Sequence, residues 1–162
     1  MTASGRNDEQ GQKLSMRIAT QSDASVIANL YLASRKKYIS FAPLVHSDTA
    51  IQQWMHDILI PSAQVWVVEK NDVIIGMMAI DEIQGVNWIE QMYVLPEAVG
   101  HGAGSLLMAK AKSLTPPIRL RTFQENLSAR RFYERHGFKI LEFSDGSGNE
   151  EQCPDMLYEW KS

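Results

Sequence analysis

The chain has 162 residues, 44% hydrophobic and 22% charged, proportions that suit one globular domain able to bury a core. A formal net charge of −3, with no basic block, argues against a nucleic-acid partner. The single cysteine, Cys153, excludes an intramolecular disulfide and a multi-thiolate zinc site, so no metal is expected; without a long apolar run or a signal-like start, the expectation is a soluble cytoplasmic protein with no membrane partner.

Residues 1–14 are rich in Gly, Gln, Asn, Asp and Glu and are expected to form a flexible tail, leaving 16–162 as the folded domain. Met16 to Ala19 reads as a short strand, and Thr20 to Asp23 supplies caps for a helix through Val26, Ile27, Leu30 and Tyr31. Ser47 and Asp48 open a second helix, whose stripe Ile51, Trp54, Met55, Ile58 and Leu59 predicts core packing until Pro61 stops it. Val65 to Glu69 and Val73 to Ile80 form a hairpin across Lys70, Asn71 and Asp72, and Gln84 and Gly85 turn the chain into a third antiparallel strand, Trp88 to Val94. Gly100 to Gly104 introduces a helix that Pro116 and Pro117 separate from the strand Ile118 to Phe123. Asn126 caps a helix over Leu127 to His136, Gly137 takes the left-handed position after it, and Phe138 begins another strand. A loop over Asp145 to Gly148 precedes the last strand, Met156 to Trp160. The sum is an α+β fold with one mixed sheet and helices on both faces.

Two segments carry chemistry. Val99, Gly100, His101, Gly102, Ala103, Gly104 and Ser105 lie between a strand and a helix, where unpaired backbone N–H groups and the helix dipole favour an anion such as a pyrophosphate. A structural turn is the competing reading. A Walker-type loop is excluded because no lysine separates Gly104 from Ser105, and the dinucleotide fingerprint fails because Ser105 stands where its third glycine belongs. The second segment is the run Asn126, Ala129, Phe132, Tyr133, Gly137 and Phe138, in which Ala129 and Tyr133 share a helix face. Core packing explains its aromatic residues but not the whole spacing.

With these residues the chain resembles the GCN5-related N-acetyltransferase superfamily. Gly102 and Gly104 match the superfamily's cofactor loop, and Asn126 to Phe138 meets every specified position of its later pattern. The departure is Val99, where the superfamily usually carries Arg or Gln, so that side chain's contribution is lost while the backbone N–H groups remain. The resemblance implies a single domain whose mostly antiparallel mixed sheet splays into a V, flanked by about four helices. It implies acetyl-CoA as co-substrate, lying between the strand ending at Val94 and the strand starting near Ile118. Met92, Tyr93 and Val94 would pair with its pantetheine arm like an added strand, and a backbone amide there would polarise the thioester carbonyl. The segment from Val99 to Ser105, with Asn126 and Ala129, would complete the cofactor site, and His101 is a replacement donor or a solvated loop residue.

By the same resemblance Glu90 is the base that takes a proton from the acceptor amine, with Asp81 and Glu82 in reserve, and Tyr133 hydrogen-bonds or protonates the leaving sulfur. Each has a bland alternative, a solvent-facing strand carboxylate for Glu90 and helix packing for Tyr133. His46, Asn149, Glu150 and Asp155 are polar enough to line an acceptor pocket or to be merely solvated, and Arg130 and Arg131 either meet phosphates or decorate an exposed helix face. The implied function is acetyl transfer to an amine of a small molecule or protein by direct attack; a homodimer is compatible with it. The alternatives are a non-catalytic acyl-CoA-binding sensor and a nucleotide-binding regulator.

Overall fold

The structure is a computed structural model that describes residues 13–162. All of the expected tail except Lys13 and Leu14 lies outside the described residues. The first strand, β1 (Leu14–Ile18), starts earlier than Met16 because Leu14 is already paired with Lys70 of β2 (Gln64–Lys70). Arg17 ties this edge together: its guanidinium donates to Glu69 of β2 at 2.9 Å and to Asp23 at 2.8 Å. Asp23 also accepts from the Thr20 backbone N–H at 2.8 Å, so one carboxylate closes the turn that leads into helix α1 (Ala24–Tyr38).

Helix α2 (Asp48–Trp54) is capped by the Ser47 hydroxyl, which accepts from the Ala50 N–H at 3.1 Å. It runs on into a π-helical turn, Met55–Leu59, and one further α turn, Ile60–Ser62. The widened turn rotates the predicted apolar stripe. Ile51, Met55 and Leu59 are buried, whereas Trp54 and Ile58 are 37% and 55% exposed, so the stripe packs three of its five residues. Pro61 lies inside the last turn rather than ahead of it.

β2 and β3 (Val73–Ile83) are joined by Asn71 and Asp72 alone, both left-handed, and Lys70 pairs with Val73 as the last strand residue before the turn. Gln84 and Gly85 repeat this geometry before β4 (Val86–Val94). Helix α3 (Ala103–Lys112), β5 (Ile118–Phe123), α4 (Leu127–Arg135), β6 (Lys139–Ser144) and β7 (Asp155–Trp160) complete the order. The seven strands form one open sheet, β1-β2-β3-β4-β5-β7-β6, in which only β4 and β5 run parallel.

That parallel contact is short. Asn87, Trp88 and Ile89 pair with Ile118, Arg119 and Leu120, and beyond them Glu90–Val94 and Arg121–Phe123 part without pairing to each other. The sheet therefore opens into the expected V at its centre. Helices cover both faces. Ile75, Met78, Ile80 and Leu120 pack with Leu107 and Met108 of α3, while Ile74, Met77 and Val67 pack with Ile27 and Leu30 of α1 and Met55 after α2. Burial on both faces explains why β3 reads as a nearly continuous apolar run rather than an alternation.

Candidate active site

The V is entered from β4, and its shape starts with a one-residue irregularity. Ala79 of β3 faces Gln91 while Ile80 faces Ile89, so Glu90 is the extra residue of a β-bulge. The bulge bends β4 away from β5 just past their last paired residues and leaves the Glu90 carboxylate at the wall of a cleft of about 910 Å³. Glu90 is exposed overall, yet desolvation of its carboxylate, with the nearby Asp81 carboxylate second, raises its pKa above the ordinary carboxylate value. A carboxylate in such surroundings is a better proton acceptor than one in water.

Met92, Tyr93 and Val94 continue along the same wall. Among the described residues this stretch of β4 has no strand partner on the cleft side, which leaves an edge that an extended ligand could pair with. At the end of the wall Val99, Gly100, Gly102, Ala103, Gly104 and Ser105 line the cleft. Gly100 and Gly102 hold φ of 88° and 93°, the left-handed region that costs glycine least. Gly102 is the N-cap of α3, and the first α-helical bond of this helix runs from Leu106 N–H to Gly102 C=O at 3.0 Å. The N–H groups of Ala103, Gly104 and Ser105 thus have no acceptor within the helix and are available to an anion. A Cβ on Gly104 would stand 3.0 Å from Phe132 Cε1, so a larger residue there would require the Phe132 ring to give by a few tenths of an ångström. The cradle can take an anion of the size of a diphosphate.

The opposite wall is α4. Asn126 caps it, its side-chain oxygen accepting from Ala129 N–H at 3.2 Å, and both residues line the cleft. Tyr133 lies one turn beyond Ala129, 8% exposed and edge-on to Phe132 and Phe138 with ring centroids 5.5 and 5.9 Å away. Burial, reinforced by Tyr158, raises the Tyr133 phenol well above its ordinary pKa. A buried phenol gives up its proton reluctantly, which favours hydrogen-bond donation to sulfur over transfer of the proton.

Glu90, Tyr133 and Asn149 line the same cleft as the glycine cradle. His101 does not line it and is solvent-exposed. His46 and Glu150 are also elsewhere: they hydrogen-bond each other at 3.0 Å on the surface, with side chains 56% and 66% exposed. Arg130 donates to Gln124 C=O at 3.1 Å and is outside the lining, as are Arg131, Asp81 and Glu82.

The residues that sequence reasoning missed come from α1 and the connection between β6 and β7. Tyr31, Arg35 and Tyr38 line the cleft from α1, and Glu151 lines it from the connection. Arg35 is 4% exposed and donates to Glu151 at 3.1 Å and to Pro43 C=O at 3.2 Å. An arginine near the end of an amphipathic helix carries no sign of burial, because its partner lies 116 positions away. Tyr93 packs edge-on against Tyr31 at 4.9 Å and joins α1 to the β4 wall.

The acetyltransferase (GNAT) domain family matches residues 61–140, the stretch that holds β2 to β5, the glycine cradle and α4. The peptidyl-lysine N-acetyltransferase YiaC of Escherichia coli (strain K12) is 30% identical over 106 residues, covering 65% of this chain and 69% of YiaC. The chain belongs to the GNAT family. It is an acetyl-CoA-dependent N-acetyltransferase, with an amine as acceptor. Solved GNAT-type structures share the fold of this acetyltransferase. Apo YjaB from Escherichia coli aligns with TM-score 0.74 at 19% identity over 91% of this chain and 97% of YjaB. The PaiA N-acetyltransferase of Thermoplasma acidophilum, solved with coenzyme A, aligns with TM-score 0.71 at 18% identity over 93% of this chain and 99% of that one. Among the described residues no helix is long and apolar enough to cross a membrane, and no cluster of His, Cys, Asp and Glu is suited to a metal.

Proposed function

We propose that this acetyltransferase modifies the ε-amine of lysine in a peptide or protein, with Glu90 as the proton acceptor and Tyr133 as the partner of the leaving sulfur. The observation that carries the roles is the bulge that sets the Glu90 carboxylate into the same cleft as the Tyr133 phenol and the glycine cradle. The choice of lysine is supported by YiaC, a peptidyl-lysine N-acetyltransferase.

In this reading the N–H groups of Ala103, Gly104 and Ser105 hold the diphosphate, and β4 aligns the amide-bearing arm as an added strand. Acetyl-CoA supplies the activated acyl group. Glu90 takes a proton from the amine, directly or through water, so that the neutral nitrogen forms the new C–N bond. A β4 backbone N–H polarises the carbonyl, and the Tyr133 O–H donates to sulfur as the C–S bond breaks. A lysine amine has a solution pKa of about 10.4, so the protein must supply a base near neutral pH, and the raised pKa of Glu90 suits it.

The test is a peptide and amine panel assayed by release of the coenzyme A thiol, with mass spectrometry locating the acetyl group. Acetyl on the lysine ε-nitrogen is the expected product. Acetylation confined to α-amines or to hydroxyls would overturn the lysine assignment.

A further inference from the structure

The sheet ends at β6, and among the described residues no strand pairs with its outer edge. An edge strand offers unpaired backbone donors and acceptors, and proteins commonly guard such edges with polar side chains. β6 is guarded poorly: Ile140, Leu141 and Phe143 are 38%, 49% and 60% exposed. Apolar side chains beside unpaired backbone suit a partner strand better than water.

The charges of β6 decide which strand. Lys139 and Glu142 are three positions apart and would stand on opposite faces of a regular strand. Here the register slips between Ile140 and Glu142, so that Lys139 opposes Glu159 and Glu142 opposes Leu157 of β7, while Leu141 is the extra residue of a β-bulge. Leu157 and Glu159 are two positions apart, so the bulge brings Lys139 and Glu142 onto one face of the sheet. Ile140 and Phe143, opposite Tyr158 and Met156, share the other face. Lys139 is exposed and the Glu142 side chain is 57% exposed; among the described residues the 3.3 Å contact from Arg121 engages only its Oε1. An accessible ammonium and an accessible carboxylate thus stand on the same face of one free edge.

We propose that β6 pairs antiparallel with β6 of a second copy of this chain, about a two-fold axis between Ile140 and Leu141. In this register Lys139 faces the partner's Glu142, Ile140 faces the partner's Leu141, and the symmetry repeats both contacts. The two bulges fall opposite each other, so each strand's extra residue is matched by its partner's. Other registers lose the charge match: an axis at Glu142 sets two carboxylates face to face, and one at Lys139 sets two ammonium groups face to face. The pairing also closes this end of the sheet, which an open edge with exposed apolar residues does not. The interface adjoins the cleft through Arg121, which donates to Glu142 and lines the cleft wall.

The experiment measures sedimentation of the full chain over a concentration series. The mass should rise with concentration from the 18.3 kDa of one chain toward twice that value. Lys139→Glu and Glu142→Lys each place like charges across both pairs, and each should raise the Kd of the dimer about tenfold or more. Mixed in equal amounts, the two variants regain opposite charges at both pairs and should associate within about threefold of the wild-type Kd. A wild type that stays monomeric, a dimer indifferent to both substitutions, or a mixture that does not recover would overturn the proposal and leave the N-acetyltransferase reading intact. Thermal melting reports whether the variants fold. If either does not, amide exchange of the wild type decides: slowing at Lys139 to Ser144 as concentration rises supports the paired edge, and exchange independent of concentration overturns it.

Discussion

The role proposed for Glu90 rests on an irregularity of one residue. In a regular β4 its side chain would alternate with its neighbours; as the extra residue of the bulge it meets the cleft instead, partly shielded from water and facing the field of Asp81. Both effects disfavour the charged form, so the acid limb of the kcat/KM profile should lie above the ordinary glutamate value of about 4.3. Glu90→Gln should lower kcat/KM by about a hundredfold or more and abolish that limb, read from initial rates across the acid range. Tyr133 predicts the opposite edge. Because its phenol pKa is raised, the O–H stays protonated where a free tyrosine ionises, and activity should not decline near pH 10 through loss of this donor. Tyr133→Phe should reduce kcat by about tenfold or more with little change in the KM for acetyl-CoA. An equal loss in binding would point to packing as its only role.

At the level of elements, α3 and α4 act as a pair. Gly104 keeps their closest approach open, and an alanine methyl 3.0 Å from the Phe132 ring would force the ring or the helix start to yield. Gly104→Ala is therefore expected to raise the KM for acetyl-CoA severalfold more than it lowers kcat, measured by varying acetyl-CoA at saturating amine. These two helices were also the most legible part of the chain. Glycine spacing and the Asn126 cap are local signals, and the structure places both beside the cleft. Local signals also found the hairpins, since Asn71-Asp72 and Gln84-Gly85 favour left-handed turns. The π-helical turn after Trp54 escaped detection because a stripe at ordinary helical spacing assumes 3.6 residues per turn. The cleft wall built from α1 and the β6–β7 connection escaped for a different reason. Arg35 meets Glu151 only when α1 and the β6–β7 connection converge, and exposed polar residues such as His46 and Glu150 read the same way in sequence as those that face a ligand.

Across the whole molecule, two well-paired blocks of sheet meet at a narrow join. β1 to β4 form one antiparallel block and β5, β7 and β6 another, and among the described residues the one strand ladder linking them runs from Asn87–Ile89 to Ile118–Leu120. The helices packed across both faces carry the rest of the connection, with Tyr133, Ile89 and Leu107 sharing one core. A ligand lying along β4 bridges the blocks where the protein's own hydrogen bonds stop. Binding and cohesion are then linked quantities: acetyl-CoA at a hundred times its Kd should stabilise the fold by about 2.7 kcal/mol. Amide exchange should slow most at Gln91 to Val94 and at the first turn of α3. In mechanical terms the co-substrate, bound as proposed, would serve as a temporary strut, and each product release would return the molecule to a more compliant state.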